Sequence, residues 1–479
     1  MVLSVIVGAV LRIRMFMEER SLWLDPAMLA LNVVDRDFGE LLGRLDMNQA
    51  APAGFLWLSK ALGSVFDYSE YSLYLAPCLF GVVAFLLFIR LSIDVLGPGC
   101  APLAYLPMAT CSTAIFYCGE FRPQSFDLFF TVLVFLAGRQ VLNRDWATVA
   151  IASFAAVSIV ALWFSYAVLF VVAGSGAALV LLAITSAQAR ARLQMTVAFA
   201  AVMGFFLVLY LLHIRPSIGS DLYTANTAAY APVVAVAKAQ WWWWILAVTG
   251  YFEFPLGFRG LFIVPMGGFI AGVAVCLSDK RYRPVAAIFG APIILVLAAS
   301  GLGMYPIATG LHEVKARFVL FTVPIALIFI AVGISRVCQM VGKIKIFAYL
   351  IVASLLISSF AGALSGPRFP GQEMRPLVQY LEQHIQAGDS VYVFHASVPA
   401  FRFYTRHDPI EAVFGHSLRR GNVQRDLQRV RKAGRLWVVV SHAFGGERRA
   451  IRKTLNTMGE RKKVHRWPGA VLFEYQLNQ

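Results

Sequence analysis

Long apolar runs recur along this chain from end to end, and no other feature narrows its fold as much. A membrane-crossing helix needs about 20 mostly apolar residues in succession. Runs of that order lie at 71–96, 101–118, 124–142, 146–165, 166–187, 194–213, 255–277, 284–303, 317–336 and 346–364. The first residues, MVLSVIVGAVLRIR, lack a basic leader and a small-residue cleavage site, so they read as an uncleaved first helix. Eleven spans are therefore predicted, with 146–187 divided near Phe164–Tyr166. The run before Arg12 gives only about 16 Å of helix against a core of about 30 Å. Either Arg12 and Arg14 snorkel at the far interface, or the true start lies upstream. The stretch 51–66 is apolar but short and interrupted by Lys60. It reads as a helix lying in the interface.

Composition agrees with a polytopic α-helical membrane protein. Apolar residues make up 59% of the chain and charged residues 14%, where soluble domains hold about half and a quarter. The net charge of +16 does not point to nucleic acid, because many of the cations end apolar runs. Arg139 and Arg144, Arg190 and Arg192, Lys280 to Arg283, and Arg336 with Lys343 and Lys345 sit in tight connections. With eleven spans these loops share one side, and the positive-inside rule makes it cytoplasmic. Residues 15–70, the 118–124 turn, the 214–250 and 304–316 loops and the tail then lie outside. Localisation in a bacterial inner membrane follows as the expectation. The six cysteines form no CxxC or Cys/His cluster, so neither a disulfide framework nor a zinc site is expected. Trp241–Trp244 read as an interfacial aromatic belt, with a sugar-stacking platform as the alternative.

The chain divides into a membrane domain, 1–365, whose first outer loop spans 19–70, and a tail, 366–479. The tail carries strand-like runs at Ser390–Phe394, Leu436–Val440 and Ala470–Tyr475. Helical stretches lie between them near 373–387, 422–433 and 446–458, which predicts a small α/β domain. It holds 19 lysines and arginines against 9 acids. That excess suits an anionic partner such as lipid headgroups, or is simply a solvated surface.

Three outer segments carry chemistry-bearing residues. In the first loop, Asp25 lies beside Leu22, Trp23 and Leu24, and a carboxylate so placed is a candidate general base. Asp35-Arg36-Asp37 has the DxD form of metal-dependent sugar transferases, but three letters in a helical pattern are a weak signal. In the second segment, YCGEFRPQSFD, Glu120 and Arg122 stand at the membrane edge. Asp127 falls inside an apolar run, where an acid is costly unless paired. Arg122 is its expected partner, since a guanidinium binds carboxylate or phosphate in bidentate fashion. In the third, HEVKARF, His312, Lys315 and Arg317 approach the membrane together, as phosphate ligands or as interfacial anchors.

The ordered set LWLD with Asp25, QAAP with Gln49 and Pro52, YCGEFRP with Glu120 and Arg122, and ARFVLFTVP with Arg317 resembles the GT-C superfamily. These are polyprenyl-phosphate-sugar-dependent glycosyltransferases, and family 39 and RgtA/B/C/D-like proteins are the nearest members. The resemblance covers the membrane domain, and the tail is similar to the extracytoplasmic α/β domain that some members carry. It implies inverting transfer of a sugar from a polyprenyl-phosphate donor to a cell-envelope acceptor: lipid, polysaccharide or protein. By the same resemblance Asp25 is the base, and Glu120 orients the acceptor or a cation. Arg122, Lys315 and Arg317 hold the donor phosphate, and Gln49, Asp127 and His312 support the site. A divalent cation is optional, and no residue is assigned as a metal ligand. Many members have Asp-Glu where this chain has Asp25-Pro26, and an aromatic where it has Gln124. The competing readings are a transporter or flippase of a lipid-linked glycan, and a non-catalytic envelope-binding protein. A transporter places ionisable groups near the bilayer midplane, whereas the charged clusters here fall at one interface.

Overall fold

The computed structural model describes residues 2–217, 241–258, 260, 262–307, 316–340, 345–365, 371–416, 425–426, 429–430, 434–443 and 446–478. In chain order the helices are α1 (Val2–Met17), α2 (Leu24–Asp35), α3 (Ala53–Val65), α4 (Glu70–Leu96), α5 (Pro102–Thr110) and α6 (Ser112–Phe116). Then come α7 (Gln124–Asn143), α8 (Thr148–Phe164), α9 (Val168–Ser186), α10 (Ala189–Leu209), α11 (Trp241–Glu253), α12 (Ile263–Ser278) and α13 (Arg283–Gly301). They are followed by α14 (Val323–Met340), α15 (Lys345–Ser365), α16 (Met374–His384), α17 (Val398–Tyr404) and α18 (Glu447–Met458). The chain falls into two compact units. The first holds 1–18, 38–67 and 71–368; the second holds 19–37, 68–70 and 369–479. The first outer loop, assigned above to the membrane domain alone, is thus shared between the units.

The first unit is a helical bundle. Among the described residues, six helical stretches are long and apolar enough to cross a membrane: 70–96, 124–143, 168–186, 189–214, 283–301 and 317–340. Apolar helices at 148–164, 263–278 and 349–361 are shorter. The polytopic helical bundle expected from the sequence is built from helices of unequal length. The 101–118 run is broken at Cys111, whose extended backbone separates α5 from α6. The 255–277 run becomes helical only at Ile263. Residues 241–250, expected in a loop, open α11 instead. The division between α8 and α9 falls at Ser165, also extended. From Val323 to Ile334 the α14 helix is apolar all round and buried, as befits a central helix. It meets α12 at backbone contact. A Cβ on Gly272 would strike the Phe329 carbonyl oxygen, and one on Gly333 the Gly268 carbonyl oxygen. Gly268 and Gly272 form the small-xxx-small pattern that lets membrane helices approach closely.

Arg12 corrects the snorkelling expectation. Its side chain is 1% exposed. It donates to the carbonyls of Met108 (2.9 Å), Ala109 (3.2 Å) and Gly8 (2.9 Å), with Phe85 4.7 Å from its guanidinium carbon. The Met108 and Ala109 carbonyls belong to the end of α5, where the negative end of the helix dipole favours a cation. Arg14 is exposed and lies 3.7 Å from Glu18.

The second unit is built on a five-stranded sheet: β1 (Ser390–Val393), β2 (Val413–Phe414), β3 (Gly434–Ser441), β4 (Gly459–Trp467) and β5 (Ala470–Leu477), in the order β2-β1-β3-β5-β4. The β1 strand is parallel to β2 and β3; β5 is antiparallel to β3 and β4. Leu436, Val438, Val440, Phe473 and Tyr475 form the core with Ile451 and Leu455 of α18. Helices α16 and α18 and strands β1, β3 and β5 match the sequence expectation. The predicted helix at 422–433 lies mostly outside the described residues. The β4 strand went unread because ERKKVHRW has charge where alternation was sought. It is an edge strand, and lysines on an edge discourage pairing with other chains. Helix α2 packs on α17 within this unit.

Candidate functional site

In the first unit the sequence-predicted residues gather at one end of the helices. Arg122 Nη1 donates to Gln49 Oε1 at 3.2 Å, joining the second outer segment to the first. Glu120 and Arg122 are both buried. Asp127, in the first turn of α7, accepts from Ser165 Oγ at 2.5 Å, and that oxygen also accepts from the Val168 amide at 3.1 Å. The ion pair expected between Asp127 and Arg122 is thus replaced by two separate contacts. A short hydroxyl bond satisfies the acid, and an amide oxygen meets the guanidinium. The hydroxyl of Ser165 caps the first turn of α9 while it serves Asp127.

The third segment packs against the second. The turn Arg317–Thr322 lies on α7. Arg317 extends over the ring of Phe318, 5.1 Å from its centre. The backbone oxygen of Phe318 accepts from the Tyr305 hydroxyl at 2.7 Å, and Thr322 meets the Tyr251 hydroxyl at 2.7 Å. His312 and Lys315 lie outside the described residues.

Polar contacts pin the half of the first loop that belongs to this unit. Besides Gln49, the Tyr166 hydroxyl donates to the Ala51 carbonyl at 2.8 Å and lies 3.1 Å from His213 Nε2. His213 Nδ1 is 2.7 Å from the Leu42 carbonyl. Met47 and Asn48, just before Gln49, both have left-handed backbone (φ 56° and 52°), closing the turn that presents Gln49. Ser165, Tyr166 and His213 had no motif to announce them; the only signal was the Phe164–Tyr166 break. The cluster sits at the start of α7, about 22 Å of helix from Arg139, which pairs with Asp94 at 2.9 Å near the other end. An apolar groove of about 930 Å³ between α9, α12 and α13 is lined along α9 by Ala177 to Thr185, away from Ser165.

Asp25 lies in the second unit, in the first turn of α2. Its indole neighbour Trp23 stacks on His442, centroids 5.9 Å apart and planes 24° from parallel. Gln372 Nε2 donates to His442 Nδ1 at 2.5 Å, which leaves the ring proton of a neutral imidazole on Nε2. His395 and His442 follow the ends of β1 and β3. Burial pushes His442 below its usual range, against the pull of Asp25 and Glu447 and with a smaller push from His395. Burial likewise lowers His395, opposed by Glu447 and Asp426. Asp35 ends α2 and Arg36 is extended, so the DxD triplet straddles a helix end. Among the described residues no group of three or more His, Cys, Asp or Glu is placed to hold a metal ion.

The fold is that of a multi-pass α-helical membrane protein with an α/β domain, and solved structures share it. Over 99% of its length and 97% of the other chain it superposes on ArnT from Cupriavidus metallidurans, solved with undecaprenyl phosphate, at a TM-score of 0.56 and 12% identity. The archaeal oligosaccharyltransferase AglB of Archaeoglobus fulgidus, solved with an inhibitory peptide and a dolichol phosphate, matches 100% of this chain and 74% of its own. Its TM-score is 0.54 and its identity 11%. The same archaeal enzyme in complex with zinc and sulfate gives a TM-score of 0.53. No protein-family model matches the sequence, and no curated protein does.

Proposed function

We propose that this protein is a membrane glycosyltransferase. It moves a sugar from a polyprenyl-phosphate donor to a cell-envelope acceptor at the outer face of a bacterial inner membrane. The observation that carries the reading is the meeting of Gln49, Arg122 and the Arg317 turn on one end of a bundle whose fold is shared with proteins solved with undecaprenyl and dolichol phosphates. In this mechanism Asp25 withdraws the proton of the acceptor nucleophile. The freed electron pair forms the new bond to the anomeric carbon, the bond to the phosphate oxygen breaks with inversion, and the polyprenyl phosphate leaves with the electron pair of the broken bond. Negative charge grows on the leaving phosphate, and fixed cations stabilise it more in the transition state than in the ground state. Arg122 supplies one such cation, held in place by Gln49, and Arg317 the other. Glu120 orients the acceptor, and Asp127 supports the site by fixing the start of α9 through Ser165. The basic α/β domain lies on the outer side.

The test uses a strain deleted for the gene and complemented with each variant, reading donor-dependent modification of envelope lipids and polysaccharides by mass spectrometry. Asp25→Asn is expected to abolish the product. Arg122→Ala is expected to reduce it by about 100-fold or more, as when an oxyanion donor is lost. Unchanged product with normal protein level in either variant would refute the assigned role.

A further inference from the structure

The segment that carries Asp25 is not folded with the helical bundle; it is built into the α/β unit. The attachment runs through Glu19, Ser21, Leu22 and Trp23, ahead of the acid. Glu19 accepts from Arg375 through its carboxylate (2.6 Å) and its backbone oxygen (3.0 Å). Ser21 donates to Glu373 (2.8 Å) and accepts from the Arg375 amide (3.2 Å). The amide of Leu22 donates to the Tyr404 hydroxyl (2.7 Å), which in turn donates to a carboxylate oxygen of Glu70 (2.7 Å). Trp23 stacks on His442. His442 takes a left-handed backbone (φ 51°) to do so, a conformation that costs a non-glycine residue free energy and persists only where its surroundings impose it. Those surroundings are present. Ser441 donates its amide to Ser397 Oγ at 2.6 Å, and Gln372 holds the His442 ring.

We propose that the C-terminal α/β domain positions the general base, with Tyr404 and His442 as positioning residues that grip Leu22 and Trp23 just ahead of Asp25. The inference rests on the role given to Asp25 above. Neither residue exchanges a proton with substrate; each fixes where the first turn of α2 begins. A displacement of about 1 Å at a catalytic group can lower a rate about 100-fold, so these grips act on turnover rather than on substrate affinity.

The experiment uses the full-length chain in the deletion strain, with the endogenous polyprenyl-phosphate-sugar pool as donor and envelope modification as the rate readout. Hydrogen exchange over 24–35 is followed on the purified protein. Tyr404→Phe and His442→Ala are each expected to slow transfer about tenfold to 100-fold and to speed exchange in α2, with little change in the sheet. His442→Phe keeps a ring against Trp23 and is expected to restore most of the rate. If Asp25→Asn is inactive while Tyr404→Phe and His442→Ala transfer at the parental rate, the positioning inference is overturned and the glycosyltransferase reading survives. Equal loss in His442→Phe and His442→Ala would overturn the ring grip. If Asp25→Asn remains fully active, the reading of Asp25 as base fails, and the exchange data alone then report whether the domain holds α2.

Discussion

Gln124 illustrates how much a single buried atom can reveal. Its Oε1 is buried with no hydrogen-bond donor among the described residues, two positions after Arg122. An orphaned amide oxygen costs about 1–3 kcal/mol. Gln124→Met is therefore expected to leave stability unchanged or raise it by up to that amount. If the oxygen receives a substrate hydroxyl, the same variant weakens transfer while the protein melts no earlier. Melting in detergent, paired with the envelope assay, separates the two effects. Asp127 makes the opposite case. Ser165 is its hydrogen-bond donor and also caps α9, so Ser165→Ala strands a buried acid. A loss of about 1–3 kcal/mol is expected, seen as a lower midpoint in thermal unfolding. The sequence showed that Asp127 needed a partner, because an acid in an apolar run is conspicuous. It could not show which partner, since Ser165 lies 38 residues away and serine is common in membrane helices.

Among the elements, the α12–α14 crossing is the least tolerant of change. The Gly268/Gly272 pair and Gly333 set the helix axes at backbone contact. Gly272→Val would force the helices apart, with an expected cost on the order of 3 kcal/mol and a marked fall in folded protein recovered from membranes. A wild-type yield would contradict the close crossing. In the α/β unit the sensitive elements are the ends of β1 and β3. Burial holds His395 and His442 below the usual value of about 6.5, with Asp25, Glu447 and Asp426 opposing. The unfolded chain then binds more protons than the folded one near pH 6. Stability is full above about pH 6.5 and falls as the pH drops through the folded values. Melting temperatures at pH 7.5 and 5.5 should differ less in a variant with His442→Phe. Elements were well read from sequence where pattern and burial agree, as in α7, α9, β3 and β5. They were misread where a helix breaks inside an apolar run, as at Cys111, or where an edge strand carries charge, as in β4.

At the scale of the whole molecule, the order of motifs along the chain did not reveal how they are divided between units. Asp25 and Gln49 lie 24 residues apart in one loop, yet the former belongs with the sheet and the latter with the spans. Sequence periodicity records which face of an element is buried, not which neighbour buries it, so this partition was invisible until the chain was folded.

The guanidinium of Arg12 carries a consequence for how the protein is made. An arginine near the middle of a single inserted helix costs about 2.5–3.5 kcal/mol, and Arg12 of α1 is buried only by its partners in the bundle. Its carbonyl partners, Met108 and Ala109, are translated nearly a hundred residues later. The first helix is therefore expected to enter the bilayer fully only once α5 has emerged from the ribosome. Ribosome-bound chains whose emerged portion ends before residue 100 should leave α1 accessible to a water-soluble thiol reagent, and chains whose emerged portion extends past 116 should protect it. Topogenesis here would be cooperative, with a late segment completing the insertion of the earliest one.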